Sequence, residues 1–233
     1  MKVAVVTPYH LEDIDTLARC YMSVRDQAHL DLAHVFVADG FPNPSVATLP
    51  GVEHMSLPLS HRDAGATPRA IGAISAFSRG YDAVAFLDAD NTYQPHHIRS
   101  MVQTMTGHGV GVVTATRNIC TSHGEFMYVD TIESTGDDFC DTNCLFIGRQ
   151  CLNALTYWVT EPEQRLWSDR QFWFAIRQIG ISRRHHQIPT VNYHSRWAWH
   201  YQHAGKIPPD DSVWIDRKED GSLVHAVHGQ LHQ

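Results

Sequence analysis

Ala83-Val84-Ala85-Phe86-Leu87-Asp88-Ala89-Asp90 decides the reading of this chain. An apolar run of strand character ends in two carboxylates that flank one alanine, where a buried strand meets solvent. Two oxygen ligands with room for water suit a hard cation such as Mg²⁺ or Mn²⁺. Such ions complete their shell with substrate phosphates rather than a full protein cage. A D-x-D pair alone is a weak signal, because aspartates are common at strand ends and in turns. Its weight comes from the segments around it.

Val3 to Thr7 is a β-branched run ending in Thr7-Pro8-Tyr9, and Leu11 to Gln27 follows with helical spacing of Ile14, Leu17, Ala18, Tyr21 and Val24. Ala33 to Ala38 reads as a second buried strand closing on Asp39-Gly40, and Phe41 to Pro50 holds three prolines and reads as loop. Gly51 to Leu59 fits a short third strand. Thr67 to Arg79 carries Ala70, Ile71, Ile74 and Phe77 at helical spacing, with Pro68 near its first turn, where the missing N–H costs nothing. This helix leads into the strand that bears Asp88 and Asp90. Alternating strands and helices predict a mostly parallel sheet covered on both faces, with its ligand at the carboxyl ends of the strands. Thr7, Asp39 and the Asp88/Asp90 pair all emerge on that edge.

Beyond Asp90, Pro95 to Thr106 reads as helix, Val110 to Thr116 as a buried strand and Ile119 to Asp141 as a long polar and aromatic excursion. Cys144 to Ile147 is strand-like, Gln150 to Trp158 helix-like, and Asp169 to Ile179 a helix with Phe172, Ala175, Ile176 and Ile179 facing inward. The tail after Ile207 has weak patterning. No repeat or separating linker is visible.

The chain has 233 residues, of which 43% are apolar and 18% charged, an ordinary globular balance with a substantial core. Asp and Glu number 25 against 18 Lys and Arg, a formal charge of −7 that disfavours a general nucleic-acid surface. No stretch approaches the roughly 18 apolar residues of a membrane span, and Met1-Lys2-Val3 enters a strand rather than a signal peptide, so the chain reads as cytoplasmic. Cys20, Cys120, Cys140, Cys144 and Cys151 are irregularly spaced and odd in number, which fits reduced thiols. Cys140 and Cys144 with His123 lack the paired C-x-x-C of a zinc site.

Taken in order, these segments resemble a family 2 glycosyltransferase of the GT-A fold. The resemblance rests on Val3-Ala4-Val5-Val6-Thr7-Pro8-Tyr9, Val37-Ala38-Asp39-Gly40, the loop and helix from Arg62 to Gly80, Phe86-Leu87-Asp88-Ala89-Asp90-Asn91 and Trp167-Ser168-Asp169-Arg170. It implies an α/β chain forming a single GT-A domain over residues 1–233, with a Rossmann-like, mostly parallel central sheet flanked by helices on both faces. Residues 1–117 would be the nucleotide-sugar donor half, and 118–233 the acceptor and catalytic-base half. It implies transfer of a sugar from a nucleoside-diphosphate sugar, UDP being the commoner nucleotide, to the hydroxyl of a glycan or other acceptor, with inversion.

By the same resemblance, Thr7, Pro8 and Tyr9 lie against the nucleoside, Asp39 on uracil or ribose, and Arg69 near the diphosphate at a helix N-terminus. Asp88 and Ala89 lie on the donor, and Asp90, helped by Asp88, holds Mn²⁺ or Mg²⁺ against the charge that gathers on the leaving group. An acceptor alcohol needs a general base, and Asp169 is the candidate. The family usually places Glu before that Asp; here the residue is Ser168. His194 or His200, in the aromatic segment Asn192 to Tyr201, are candidates for a further metal ligand, with packing or acceptor lining as the alternative. Trp197, Trp199 and Tyr201 could stack on a sugar or belong to a core. His225, His228 and His232 are too irregular for a metal site.

Three other readings remain open. A nucleotidyltransferase also pairs aspartates with Mg²⁺ but usually carries a Gly-rich phosphate loop, and Thr7-Pro8-Tyr9-His10 has no glycine. A nucleotide or sugar binding module without turnover is favoured only by Ser168, and a retaining transferase shares the fold. A membrane-bound acceptor is compatible with peripheral docking, although no amphipathic anchor is evident.

Overall fold

The computed structural model describes residues 1–159, 168–217, 223–227 and 230–231. Strands β1 (Val3–Tyr9), β2 (Leu32–Asp39), β3 (Val52–Leu57) and β4 (Ala83–Phe86) are parallel neighbours in the order β3-β2-β1-β4. The apolar runs of β1, β2 and β4 are covered on both faces, and Val3 to Val6 have no solvent exposure, whereas the edge strand β3 is only partly buried. Two helices separate them. Helix α1 (Ile14–Arg25) is capped by Asp13, whose carboxylate accepts from the Thr16 N–H at 2.9 Å. Helix α2 (Ala66–Ser78) packs on β1 and β2 through Gly72, where a Cβ would lie 2.6 Å from Val6 Cγ1.

Strand β5 (Thr92–Tyr93) and helix α3 (His97–His108) lead to β6 (Val112–Cys120), which lies two strands beyond β4. Between them runs β8 (Leu145–Gly148), antiparallel to both neighbours. The excursion after residue 119 is therefore partly ordered: β6 continues through it to Cys120, and β7 (Phe126–Val129) folds back antiparallel on β6. Strand β9 (Arg183–His194) pairs parallel with β6, and β5 pairs antiparallel with its end. The sheet is thus parallel over its first four strands and mixed beyond them.

The segment expected as a helix up to Trp158 is a 3₁₀ run, Arg149–Trp158, and helix α4 (Ser168–Ile179) packs beside it. Trp158 stacks on Phe172 with ring centroids 3.9 Å apart, and Phe86 meets Trp158 edge-on at 4.7 Å, tying these elements to β4. A short helix α5 (Ala198–His203) follows β9. The weakly patterned tail forms a small antiparallel sheet of β10 (Val213–Arg217), β11 (Leu223–Val227) and β12 (Gln230–Leu231). All five cysteines are buried free thiols. Among the described residues, no helix is long and apolar enough to cross a membrane.

Candidate active site

Parallel strands deliver their carboxyl ends to one edge, and there Pro8, Tyr9, Asp39, Arg69, Asp88, Ala89 and Asp90 line a single cleft of about 610 Å³. Thr7 does not join them. Thr7 lies two residues before the end of β1, where the strand is still covered on both faces, and its Oγ1 lies in the core 2.9 Å from His34 Nε2 and 3.8 Å from Cys20 Sγ.

Asp39 is buried and already engaged. Its carboxylate accepts from the His61 backbone N–H at 3.0 Å, pairs with His61 Nδ1 at 2.6 Å and accepts from Ser60 Oγ at 3.3 Å. The Tyr9 hydroxyl lies 2.7 Å from His54 Nε2 and accepts from the Asn43 N–H at 2.8 Å. The loop before α2 closes one wall. Arg62 and Ala64 adopt φ of 52° and 53°, unusual for residues with a Cβ, and Gly65 follows at 80°. A side chain at Gly65 would meet Pro8 Cγ at 3.0 Å, so glycine permits the close approach of this loop to β1. Arg62 and Asp63, from the loop that carries part of the resemblance, also line the cleft, as do Glu12 and Ser60, which were not anticipated from the sequence.

The two aspartates of the D-x-D pair differ. Asp88 is held by the Arg69 guanidinium and by Asn143, whose Nδ2 donates to Asp88 Oδ2 at 2.9 Å. Asp90 is accessible from the cleft, and no side-chain hydrogen bond to its carboxylate occurs among the described residues. Desolvation by the surrounding protein, helped by the neighbouring Asp88 charge, pushes its pKa up to about 7.

A second, smaller pocket of about 150 Å³ adjoins β6 and β9 and is lined by Asp169 together with Arg117, Glu133, Asp141, Phe139, Tyr193, Trp197, Trp199 and His200. Asp169 sits in the first turn of α4 and accepts from the Arg170 N–H at 2.7 Å. Burial raises its pKa to about 6, Asp141 adds to the rise, and Arg170 and Arg69 oppose it. Arg117 is buried beneath the pocket and donates to Asp130 at 2.8 Å, Asp141 at 2.7 Å and Glu133 at 2.5 Å, with its guanidinium 4.5 Å from the Tyr193 ring centre. Trp197 and Trp199 reach the pocket. Tyr201 is buried instead, donating to Ser195 O at 3.0 Å.

Neither expected histidine joins the aspartate pair. His200 lies in the second pocket, with Nδ1 2.5 Å from Ser195 Oγ and Nε2 3.6 Å from Glu133. His194 is held beside Asn91, whose Oδ1 accepts from the His194 N–H at 2.7 Å, and burial lowers its pKa to about 4. Among the described residues no three His, Cys, Asp or Glu side chains group to hold a metal, so any cation here would rely on the two aspartates and on oxygens from elsewhere. Trp167, His225, His228 and His232 lie outside the residues whose side chains are described. A larger open groove of about 890 Å³ runs along β9 and the end of α3, past Arg183 and His186, and contains none of the expected site residues.

The profile of glycosyl transferase family 2 matches residues 4–152. Comparison with curated proteins finds no match. Among solved structures the chain is similar to S. aureus TarS 1-349 in complex with UDP, at 12% identity and TM-score 0.62, covering 88% of this chain and 63% of that one. The complex of TarS 1-349 with UDP-GlcNAc gives 12% identity and TM-score 0.62, covering 87% and 61%. A longer TarS structure gives 12% identity and TM-score 0.63, covering 87% and 38%. The chain thus spans less than two thirds of these structural neighbours, and at that identity the likeness is one of fold.

Proposed function

The chain belongs to glycosyl transferase family 2, and from that premise we propose that it transfers a sugar from a nucleoside-diphosphate sugar to an acceptor hydroxyl with inversion. One observation carries the reading: the D-x-D pair, the β1 end, Asp39 and Arg69 share one cleft, and the Asp169 carboxylate faces an adjoining pocket close enough for Arg69 and Asp141 to act on it electrostatically. The solved TarS structures with UDP and UDP-GlcNAc favour a uridine donor.

The charges of the cleft support a divalent cation. Glu12, Asp39, Asp63, Asp88 and Asp90 line it against Arg62 and Arg69, and Arg69 is already paired with Asp88. A diphosphate would meet net repulsion there unless a cation accompanied it. Asp90, with Asp88, would hold Mn²⁺ or Mg²⁺, which when bound neutralises charge on the departing diphosphate. The chain's own residues do the rest. Pro8 and Tyr9 flank the nucleoside, Arg69 steadies Asp88, and Asp169 accepts the proton of the acceptor hydroxyl. That oxygen bonds to the anomeric carbon as the bond to the phosphate oxygen breaks, and the nucleoside diphosphate leaves with the electron pair. A carboxylate held near pKa 6 is mostly ionised at neutral pH and still basic enough for the task. Trp197 and Trp199 offer faces for an acceptor ring.

The test is a thermal-shift screen of UDP, GDP, CDP and dTDP with Mn²⁺, Mg²⁺ or chelator, followed by assay of the matching donor sugars. A metal-dependent rise with one nucleotide, lost in Asp90→Ala, is expected. A shift without turnover would leave the binding-module reading; no shift with any nucleotide would overturn the donor cleft.

A further inference from the structure

Asn143 is fully buried on the short 3₁₀ turn Thr142–Cys144 that leads into β8. Because β8 runs antiparallel to β4, the residues entering β8 lie beside the exit of β4, where Asp88 stands. There the Asn143 amide is engaged at both ends. Its Oδ1 accepts from the Asp88 backbone N–H at 2.6 Å, and its Nδ2 donates to Asp88 Oδ2 at 2.9 Å and to Asp141 Oδ1 at 2.8 Å. A backbone N–H can only donate, so the Asp88 contact fixes which end of the amide is oxygen. Asp141 continues the chain of contacts to Arg117 and lines the pocket of Asp169. One buried amide thus serves a carboxylate in each pocket.

We propose that Asn143 and Asp141 are positioning residues that couple the two pockets: Asn143 fixes Asp88 for the donor while holding Asp141 beside Asp169, so that donor occupancy is felt at the base. The inference rests on the glycosyl-transfer reading above. A cation or diphosphate that draws Asp88 Oδ2 away takes one of the two carboxylates that Nδ2 serves and leaves the amide to Asp141 alone. The charged groups facing Asp169 are Asp141, Arg170 and Arg69, with Arg117, Glu133 and His200 in the same pocket. Asp141 is the carboxylate among them that most keeps a proton on Asp169.

The test compares wild type with Asn143→Ala and Asp141→Asn in three measurements: UDP affinity with Mn²⁺ by calorimetry, hydrolysis of UDP-GlcNAc, and the pH profiles of kcat/KM and kcat. Asn143→Ala should weaken UDP affinity with Mn²⁺ and lower kcat, each by about tenfold or more, the usual scale for an outer-shell partner. Asp141→Asn should move the acid limb of the kcat/KM profile to lower pH, a displacement that a purely structural role would not produce. An Asn143→Ala enzyme with wild-type kcat, or an Asp141→Asn enzyme with an unmoved acid limb, overturns the coupling. If Asn143→Ala fails to fold, the acid limbs of kcat/KM and kcat decide: they report the free and donor-bound enzyme, and the coupling requires them to differ in wild type and to converge in Asp141→Asn. A wild type that binds no nucleoside diphosphate overturns the functional reading along with the coupling, whereas an active wild type matched by its variants overturns the coupling alone.

Discussion

Replacing Arg117 with Met keeps most of the volume of the side chain and removes its charge. Arg117 is 1% exposed and donates to three carboxylates, so the substitution leaves Asp130, Asp141 and Glu133 without their shared cation. Asp130 is partly insured, because the N–H groups of Ile132, Glu133 and Ser134 donate to it at 3.1, 2.9 and 3.1 Å. Asp141 is insured on one oxygen only: the Asn143 N–H and Nδ2 donate to its Oδ1 at 2.9 and 2.8 Å, whereas its Oδ2 pairs with Arg117 in the interior. Removing one member of a buried ion pair costs about 3–5 kcal/mol, a large share of a typical stability of about 5–15 kcal/mol. The exposed Arg79–Glu53 pair is the control, and Arg79→Ala should cost no more than about 1 kcal/mol.

The Arg117→Met cost should also depend on pH. In the wild type, Arg117 and hydrogen bonds from backbone N–H groups outweigh burial and hold Asp130 below the usual carboxylate range. The His200 contact and Arg117 do the same for Glu133. That stability is present above the unfolded carboxylate pKa and is lost only as pH falls through the folded values. In the variant the stranded carboxylates should rise in pKa and bind protons that the unfolded chain does not, so the variant gains stability as pH falls. Urea unfolding followed by fluorescence of buried Trp158 and Trp173 at pH 7.5 and pH 5 should show the gap narrowing. A loss below about 1 kcal/mol at pH 7.5, or a gap indifferent to pH, would refute the assignment of Arg117 as the organising cation.

Asp169→Asn should keep UDP binding and lower transfer by about 100-fold or more, and wild-type activity should climb as pH rises through about 6, where the base ionises. A pH profile flat across that region would remove Asp169 from the role. Gly72→Ala gains about 1 kcal/mol of helix propensity but forces a methyl 2.6 Å from Val6 Cγ1, and overpacking of that kind costs about 1–3 kcal/mol. A net loss on thermal unfolding is expected, and stabilisation would mean that α2 does not press on β1 as described. His97 is fully buried, and desolvation lowers its pKa to about 3, so the native state refuses a proton that the unfolded chain takes below pH 6.5. Stability from this group is complete above pH 6.5 and falls on acidification, by about 2 kcal/mol at pH 5. His97→Gln should therefore lose less stability than wild type between pH 7.5 and pH 5, and parallel curves would count against a neutral His97.

The cleft around the D-x-D pair was legible because its residues stand at the ends of apolar runs, and a parallel sheet gathers such ends whatever the loops do. Thr7 lies too far back along β1: it is in phase with Tyr9, but only the last two residues of the strand reach the cleft. The partners of Asp39 at Ser60 and His61 sit beyond a proline-rich loop and a third strand, with no periodic signal to point back across about twenty residues. The Arg117 cluster was hidden for a similar reason. A lone Arg inside a strand reads as a surface residue until β7 and the segment after it fold over it with three acids. The order β4-β8-β6 could not be read either, because a four-residue apolar strand carries no sign of its direction.

That strand order also bears on how the chain is made. On a ribosome, Ala83–Phe86 emerges well before Leu145–Gly148, the segment that closes its outer edge. At about 5–20 residues per second the interval is roughly 3–12 s. During it the nascent sheet presents an unpaired, wholly apolar strand, a ready template for a neighbouring copy. Chains released by truncation near residue 117 should therefore precipitate or be retained by chaperones, although every parallel strand of the cleft has been synthesised by then. β8 would act in biogenesis as a late-arriving cover strip, and slow translation between residues 90 and 145 would lengthen the period of risk.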